Sequence, residues 1–216
     1  MLTPLVIVGA GGFAREALDV IEAINREKPT YEFLGFLVDG PTEDDALSRR
    51  NARVLGGTDR LPDVEGEYLI GIGDGAARAR FDRVASAARL TAAIAVHPSA
   101  TLGADVRLGP GAVICAGARL TTNISLGRHG HVNLNATIGH DCVIGDYVTM
   151  SPGAHISGRV IIGDGVTIGT GAAVIERLTI GRNSVVGAGA VVVRDVPPDV
   201  TAVGIPARAL SRDVVG

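Results

Sequence analysis

The stretch VNLNATIGHDCVIGDYVTM, residues 132–150, has an aliphatic side chain at every sixth position. This spacing continues in both directions without a break, so that seventeen six-residue units cover residues 96–197. An α-helix cannot keep a period of six on one face, whereas short strands joined by corners can. The sequence therefore predicts a parallel β-helix whose stacked units bury the first position of each unit. These first positions are Val96, Leu102, Leu108, Ile114, Leu120, Leu126, Val132, Ile138, Ile144, Met150, Ile156, Ile162, Ile168, Val174, Ile180, Val186 and Val192.

The fourth position of the unit marks the corners of the predicted β-helix. It is Gly, Asn, Asp or His in thirteen of the seventeen units, and these residue types tolerate a left-handed backbone conformation. Three units make one coil of a triangular prism, so residues 18 apart in sequence stack on one another. The period does not determine the handedness of the coil.

The first 93 residues follow a different pattern. The segment LVIVGAGGFAREALDVIEAI, residues 5–24, predicts a buried strand, a glycine turn and an amphipathic helix. Two further strands are predicted over residues 33–39 and 67–74, a surface loop over residues 40–53 and a second helix over residues 76–88. We therefore expect two domains. Residues 1–93 form a small βαβ domain, and residues 94–216 form a β-helix domain with a C-terminal tail.

The glycine turn can hold a phosphate group, because the backbone can approach closely and the following helix offers free N–H groups. Asp39, at the end of the second predicted strand, can accept hydrogen bonds from a ribose or a base. Such a turn also serves simply to connect a strand to a helix. Because the predicted sheet is short, a mononucleotide diphosphate is favoured over a dinucleotide.

Composition excludes several classes of function. The net charge of −3 gives no reason to expect a nucleic-acid partner, and the two cysteines do not suggest a disulfide framework. The N-terminal apolar stretch is too short to span a membrane. We expect a cytoplasmic protein with no membrane insertion. The histidines lack metal-ligand spacing, so no metal site is predicted.

None of the five histidines occupies an inward position of the repeat, and the register therefore predicts no core histidine. His140 is at an outward third position and stacks between Thr122 and Gly158. Because Gly158 has no side chain, a ligand could lie beside the imidazole; the alternative is a solvated surface histidine. Asp141 could support His140, or it could serve only as a corner residue paired with Arg159.

Four segments resemble the bacterial nucleotide-sugar acetyltransferases, which include the sialic acid O-acetyltransferases and the N-acetyltransferases of bacillosamine and perosamine pathways. They are GAGGFARE at 9–16, IGIGD at 70–74, VNLNATIGHDCVIGDYV at 132–148 and VGIPAR at 203–208. The resemblance implies a left-handed β-helix and a homotrimer. It also implies that acetyl-CoA binds in the groove between neighbouring helices.

The resemblance also implies roles for individual residues. His140 matches the general base of the family, and Asp141 matches its acidic neighbour, which is usually Glu. Some members have a second His where this chain has Thr149. The positions that match the nucleotide-sugar pocket are Gly11, Gly12, Phe13, Asp39, Gly73 and Asn133. Those that match the acetyl-CoA contacts are Thr149, Gly158, Thr170, Gly187 and Ala188.

The predicted function is direct transfer of an acetyl group from acetyl-CoA to the amine of a nucleotide-linked sugar, with His140 as general base. A 4-amino-4,6-dideoxy sugar such as GDP-perosamine is the favoured substrate. This places the protein in the biosynthesis of O-antigen or another surface polysaccharide. Two alternatives stay open: O-acetylation of sialic acid or a related sugar, and non-catalytic binding of a nucleotide sugar.

Overall fold

The structure is a computed structural model that describes residues 1–42 and 44–210. Its first part is an α/β unit with a five-stranded parallel sheet in the order β3-β2-β1-β4-β5. The elements in chain order are β1 (Thr3–Val8), α1 (Gly12–Glu27), β2 (Tyr31–Leu37), α2 (Asp44–Ser48), β3 (Val54–Gly56), a 3-10 helix (Thr58–Asp63), β4 (Glu67–Ile70), α3 (Gly75–Ala87) and β5 (Thr91–Ala92).

The predicted strand, turn and helix at the N-terminus are confirmed, and so are the other two predicted strands and the second helix. The strand after residue 30 ends at Leu37 rather than Asp39, and the next ends at Ile70 rather than Asp74. The prediction of a loop over residues 40–53 was wrong in part, because that segment contains the short helix α2. Strands β3 and β5 have only three and two residues, too few to show a hydrophobic period.

The second part is a parallel β-helix of short strands on three faces. In chain order the strands are β6 (Ala95–Val96), β7 (Thr101–Leu102), β8 (Val106–Leu108), β9 (Val113–Ile114), β10 (Arg119–Leu120), β11 (Ile124–Leu126), β12 (His131–Val132), β13 (Thr137–Ile138), β14 (Val143–Ile144), β15 (Thr149–Met150), β16 (His155–Ile156), β17 (Ile161–Ile162), β18 (Thr167–Ile168), β19 (Ala173–Val174), β20 (Thr179–Ile180), β21 (Val185–Val186), β22 (Val191–Val192), β23 (Thr201–Val203) and β24 (Arg208–Ala209).

Every third strand lies on the same face, as the 18-residue stacking predicts. Face one contains β6, β9, β12, β15, β18, β21 and β23, with β24 pairing antiparallel to β23 at its end. Face two contains β7, β10, β13, β16, β19 and β22, and face three contains β8, β11, β14, β17 and β20. Residues 211–216, the predicted C-terminal tail, lie outside the described residues.

One continuous aliphatic core fills the prism from Ala112 to Ala207. The inward positions predicted from the repeat are buried along most of this length, and Cys142 lies among them. Leu102 departs from the prediction, because its side chain is 37% exposed. It lies in β7, the terminal strand of face two, so there is no strand beyond it to cover its side chain.

The corners have the backbone conformation that the fourth position of the repeat predicts. Asp105, Asn123, Asn135, Asp141 and Asn183 all have φ between 53° and 60°. The backbone N–H groups of the last four bond to carbonyl oxygens of the preceding coil, as in the bond from Asp141 to Thr122 (3.0 Å). The corner residues therefore stabilise the stack as well as turning the chain.

The α/β unit packs on face one of the β-helix. Helix α1 and strand β1 share one apolar cluster with Ala95, Val113 and Cys115 of the first coils. This packing overturns the prediction that the histidines lie outside the core, because His129 and His131 are 0% and 1% exposed. Both point outward from the prism, but the α/β unit covers them.

Candidate active site

His140 lies at the corner between β13 and β14, where faces two and three meet. The side chain is 52% exposed, so a substrate can reach it. Its Nδ1 atom is 2.8 Å from Oδ2 of Asp141. An imidazole held in this way on one nitrogen leaves Nε2 for a substrate.

Asp141 has both of the roles considered for it. It is a corner residue, with φ of 60°, and it is also the partner of His140. Its second oxygen, Oδ1, accepts a hydrogen bond from Nδ2 of Asn123 (3.0 Å), while Nε of Arg159 lies 3.6 Å from Oδ2. The hydrogen bond with His140, followed by that from Asn123, lowers the pKa of Asp141. The carboxylate is therefore charged and oriented at neutral pH.

Gly158 lies directly beneath the imidazole. A Cβ atom at this position would be 2.5 Å from Nε2 of His140. The absence of a side chain therefore makes room for the imidazole itself, and the prediction that this space is left for a ligand was wrong. The ring therefore lies over Gly158 of the next coil.

The glycine-rich edge of the α/β unit is a second candidate site. Strands β1 and β4 are neighbours, so the turns that follow them meet at the carboxyl edge of the sheet, where ligands bind in folds of this class. A Cβ atom added at Gly11, Gly12 or Gly73 would meet nothing within 4 Å. Helix α1 begins there without a side-chain cap, so its first N–H groups are available to an anion.

Asp39 and Phe13 lie in the segments that border this edge. The carboxylate of Asp39 is exposed and accepts hydrogen bonds from the backbone N–H and the hydroxyl of Thr58 (2.8 and 2.6 Å). The hydrogen bond from the hydroxyl, with that from the N–H, lowers the pKa of Asp39. The ring of Phe13 packs on the imidazole of His131, with 4.5 Å between centroids.

Asn133 and Thr149 already have partners within the chain. Asn133 is 6% exposed, and its Nδ2 donates to the carbonyl of Met150 (2.8 Å). Thr149 is 8% exposed, and its hydroxyl donates to the carbonyl of Gly73 (3.0 Å). Thr149 therefore contacts a residue of the predicted nucleotide-sugar pocket, rather than the other predicted acetyl-CoA residues.

A single chain does not bring the predicted site residues together. Gly158 shares the corner of His140, between faces two and three. Thr170, Gly187 and Ala188 lie at the corner between faces one and two, because they follow β18 and β21. The glycine-rich edge lies over face one, which the corner of His140 does not border. In one chain the two candidate sites are therefore on different sides of the prism.

The sequence analysis missed a buried polar cluster between α3 and the β-helix. Asp82, 3% exposed, accepts hydrogen bonds from the hydroxyls of Tyr68 and Tyr147 (2.8 and 2.6 Å) and from Nε and Nη2 of Arg128 (3.0 and 2.7 Å). Burial alone would raise the pKa of Asp82, but these hydrogen bonds outweigh it and lower the pKa. Burial lowers the pKa of His129, although the imidazole lies 3.1 Å from Asp82. No local sequence pattern indicates this cluster, because Arg128 and Tyr147 are 46 and 65 positions from Asp82.

Comparison with known proteins agrees with this architecture. Residues 4–83 match the PglD N-terminal domain, and residues 159–194 match the bacterial transferase hexapeptide, six repeats. The structure resembles PerB from Caulobacter crescentus in complex with CoA and GDP-perosamine, with a TM-score of 0.88 and 30% identity over 98% of this chain and 99% of that one. The chain belongs to the hexapeptide-repeat nucleotide-sugar acetyltransferases. This confirms the predicted family, its enzyme class and its fold, an α/β domain followed by a left-handed β-helix.

Two other members of this acetyltransferase family are also similar. The acetyltransferase domain of PglB from Neisseria gonorrhoeae has a TM-score of 0.87 and 31% identity, over 96% of this chain and 100% of that one. GDP-perosamine N-acetyltransferase from Escherichia coli O157:H7 is 28% identical over 148 residues, which cover 68% of this chain and 67% of that protein.

The described part of the acetyltransferase chain has neither a metal-binding cluster nor a membrane-spanning helix. Among residues 1–42 and 44–210, no three His, Cys, Asp or Glu side chains are grouped so that they could hold a metal ion. No helix in these ranges is long and apolar enough to cross a membrane.

Proposed function

We propose that this protein transfers the acetyl group of acetyl-CoA to the amino group of a nucleotide-linked 4-amino-4,6-dideoxy sugar, such as GDP-perosamine. The observation that carries this proposal is the exposed imidazole of His140, oriented by Asp141 at the corner of the prism. The relatives support the substrate classes, because PerB was solved with CoA and GDP-perosamine and the E. coli relative is a GDP-perosamine N-acetyltransferase.

In the proposed mechanism the neutral sugar amine attacks the thioester carbonyl. Nε2 of His140 accepts the proton from the amine as the C–N bond forms. Asp141 holds the tautomer with the proton on Nδ1 and stabilises the imidazolium. The C–S bond then breaks, and the departing thiolate takes up a proton to give free coenzyme A. Alignment of amine and thioester contributes much of the acceleration.

We further propose that the nucleotide diphosphate binds over Gly11, Gly12 and Gly73, close to the first turn of α1. Phe13, Asp39 and Asn133 would complete this pocket, as the family pattern predicts. Asp39 is suited to bind a ribose or base because its carboxylate is exposed, charged and oriented by Thr58. The remaining lone pairs of its oxygens are free to accept a hydroxyl or an N–H group.

We propose that the active site forms between copies of the chain in a homotrimer. The positions of His140 and of the glycine-rich edge on different sides of one prism support this. So does the separation of Gly158 from Thr170, Gly187 and Ala188, because a groove between neighbouring prisms can combine two corners. We also propose that the boundary between the two domains lies between residues 93 and 94. The protein is proposed to be cytoplasmic and to act in the synthesis of O-antigen or another surface polysaccharide.

The test is the release of free thiol from acetyl-CoA in the presence of purified nucleotide amino sugars, with mass spectrometry of the product. An amide-linked acetyl group on the sugar is expected. An ester-linked acetyl group would support the O-acetyltransferase alternative. Tight binding of the nucleotide sugar without thiol release would support the non-catalytic alternative and contradict the proposal.

A further inference from the structure

Arg78, in the first turns of α3, is completely buried although it carries a charge. Buried arginines are rare unless their donors are paired. All five N–H donors of this guanidinium have an acceptor. Nε donates to the carbonyl of His129 (3.1 Å), Nη1 to the carbonyls of Ile72 (2.9 Å) and Gly73 (2.8 Å), and Nη2 to the carbonyl of Tyr147 (2.5 Å) and the hydroxyl of Thr149 (2.9 Å).

These acceptors come from two separate parts of the chain. Ile72 and Gly73 belong to the loop after β4, at the glycine-rich edge of the α/β sheet. The other three acceptors belong to the β-helix. The hydroxyl of Thr149 adds a second tie, because it donates to the carbonyl of Gly73 (3.0 Å). One side chain therefore joins the loop to the β-helix through every donor that it has.

We propose that Arg78 is a positioning residue, which holds residues 72–74 on the β-helix in the position that the nucleotide sugar needs. We call the hydrogen bonds of Arg78 and Thr149 to this loop the clamp, and Thr149 serves the clamp rather than coenzyme A. The inference rests on the proposed function, since it is the proposed nucleotide-sugar pocket that gives Gly73 its importance. Gly73 is open to solvent on the side where a Cβ would project, so its position determines the shape of the pocket. The clamp acts from the opposite, buried side.

Only arginine can make this set of bonds. Lysine has three donors on one nitrogen, so it must lose at least two of the five hydrogen bonds that Arg78 donates. Burial lowers the pKa of Arg78 to about 10, which keeps the side chain charged at neutral pH. The packing of α3 leaves little room for rearrangement, because a Cβ at Gly75 would be 2.8 Å from the carbonyl of Tyr147.

The first test is titration calorimetry of GDP and UDP with the wild type and three variants. Thr149→Val keeps the shape but removes the hydroxyl, and we expect about fivefold weaker binding of the nucleotide that the wild type prefers. Arg78→Lys is expected to weaken binding by about tenfold or more. Arg83→Lys, an exposed arginine of the same helix, is the matched control and should change nothing. In steady-state assays the KM for acetyl-CoA should stay unchanged.

The second test does not depend on a ligand. Amide hydrogen exchange of residues 72–76 should be faster in Thr149→Val and Arg78→Lys, while exchange in β1 and α1 stays as in the wild type. Unchanged exchange in this segment would overturn the clamp. Faster exchange with unchanged nucleotide affinity, or a higher KM for acetyl-CoA in Thr149→Val, would overturn the positioning role. If the wild type bound neither nucleotide, the proposed substrate class would fail, and the exchange data alone would still decide whether the clamp exists.

Discussion

The imidazole of His140 is the residue on which the proposed chemistry depends. Replacement of His140 by Asn keeps a polar side chain at the corner but removes the base, and we expect kcat to fall about 10²- to 10⁴-fold. The KM for acetyl-CoA should change little. Thiol release under saturating substrates measures this effect. His97→Asn is a suitable control, because the imidazole of His97 bonds only to Ser99 among the described residues, in a local turn of the first coil. Turnover of His140→Asn at the wild-type rate would remove the general-base assignment.

Gly158 provides a more specific test of the same geometry. Its φ is not in the left-handed region, so alanine fits the backbone, but the new Cβ would collide with Nε2 of His140. Because the imidazole is at the surface it can move aside, and we expect a change of less than about 0.5 kcal/mol in the free energy of unfolding. We expect kcat to fall at least about tenfold, since the base leaves its position over the coil. Thermal unfolding and thiol release on the same preparation separate these two effects. Full activity of Gly158→Ala would show that the position of the ring does not matter.

At the level of the elements, the contact between α1 and β12 predicts a dependence of stability on pH. Burial lowers the pKa of His131 well below 6.5, so the folded protein keeps this ring neutral. The unfolded chain takes up a proton on His131 below about pH 6.5, so at that pH the folded state binds fewer protons than the unfolded state. The free energy of unfolding should therefore decrease as pH falls below about 6.5, by up to about 1.4 kcal/mol per pH unit, with no contribution above it.

His131→Phe keeps an aromatic ring against Phe13 and removes the titrating group. Urea unfolding at several pH values between 5 and 8 should show a slope smaller by about one proton than in the wild type. Burial also lowers the pKa of His129, so His129 should account for the pH dependence of the unfolding free energy that remains in this variant. His155→Asn is the control, because His155 is exposed and its imidazole bonds only to Thr137 within the part of the chain that the structure describes. An unchanged slope in His131→Phe would contradict the buried, neutral state of His131.

The same contact shows what the sequence could and could not predict. The six-residue period distinguishes inward from outward side chains, and it correctly placed His140 on the outside of the prism. It contains no information about what covers the outside of the prism. His131 and Cys115 are outward by register but buried, because α1 and the sheet pack over face one.

The candidate site was predictable to a similar extent. The turn that contains Gly11 and Gly12 was predicted from the strand before it, whereas Gly73 was assigned only from the family resemblance. The structure brings the two turns to one edge, because β1 and β4 are neighbours. The partner of Thr149 and the partners of Asp82 on the β-helix were not predicted, because these hydrogen bonds join residues 46 to 76 positions apart. Contacts of this separation depend on how the two parts of the chain dock, and no local pattern records that.

For the whole molecule, the central question is whether one chain contains a complete active site. The glycine-rich edge lies over face one, whereas His140 lies at the corner between faces two and three. If the site forms between copies, each site takes its nucleotide pocket from one chain and its imidazole from a neighbour. Two variants that are inactive for different reasons should then complement each other.

We propose to co-express His140→Asn with Gly12→Asp in equal amounts. The aspartate fits because nothing lies within 4 Å of a Cβ at Gly12, and its charge should repel the diphosphate. Each variant alone should be inactive. Averaged over all assemblies, a pocket and an imidazole are both intact in about one quarter of the sites, so thiol release should recover to about a quarter of the wild-type rate. The double variant His140→Asn/Gly12→Asp, co-expressed with itself, is the control. Purified mixed assemblies without any recovered activity would mean that a single chain supplies both parts of the site.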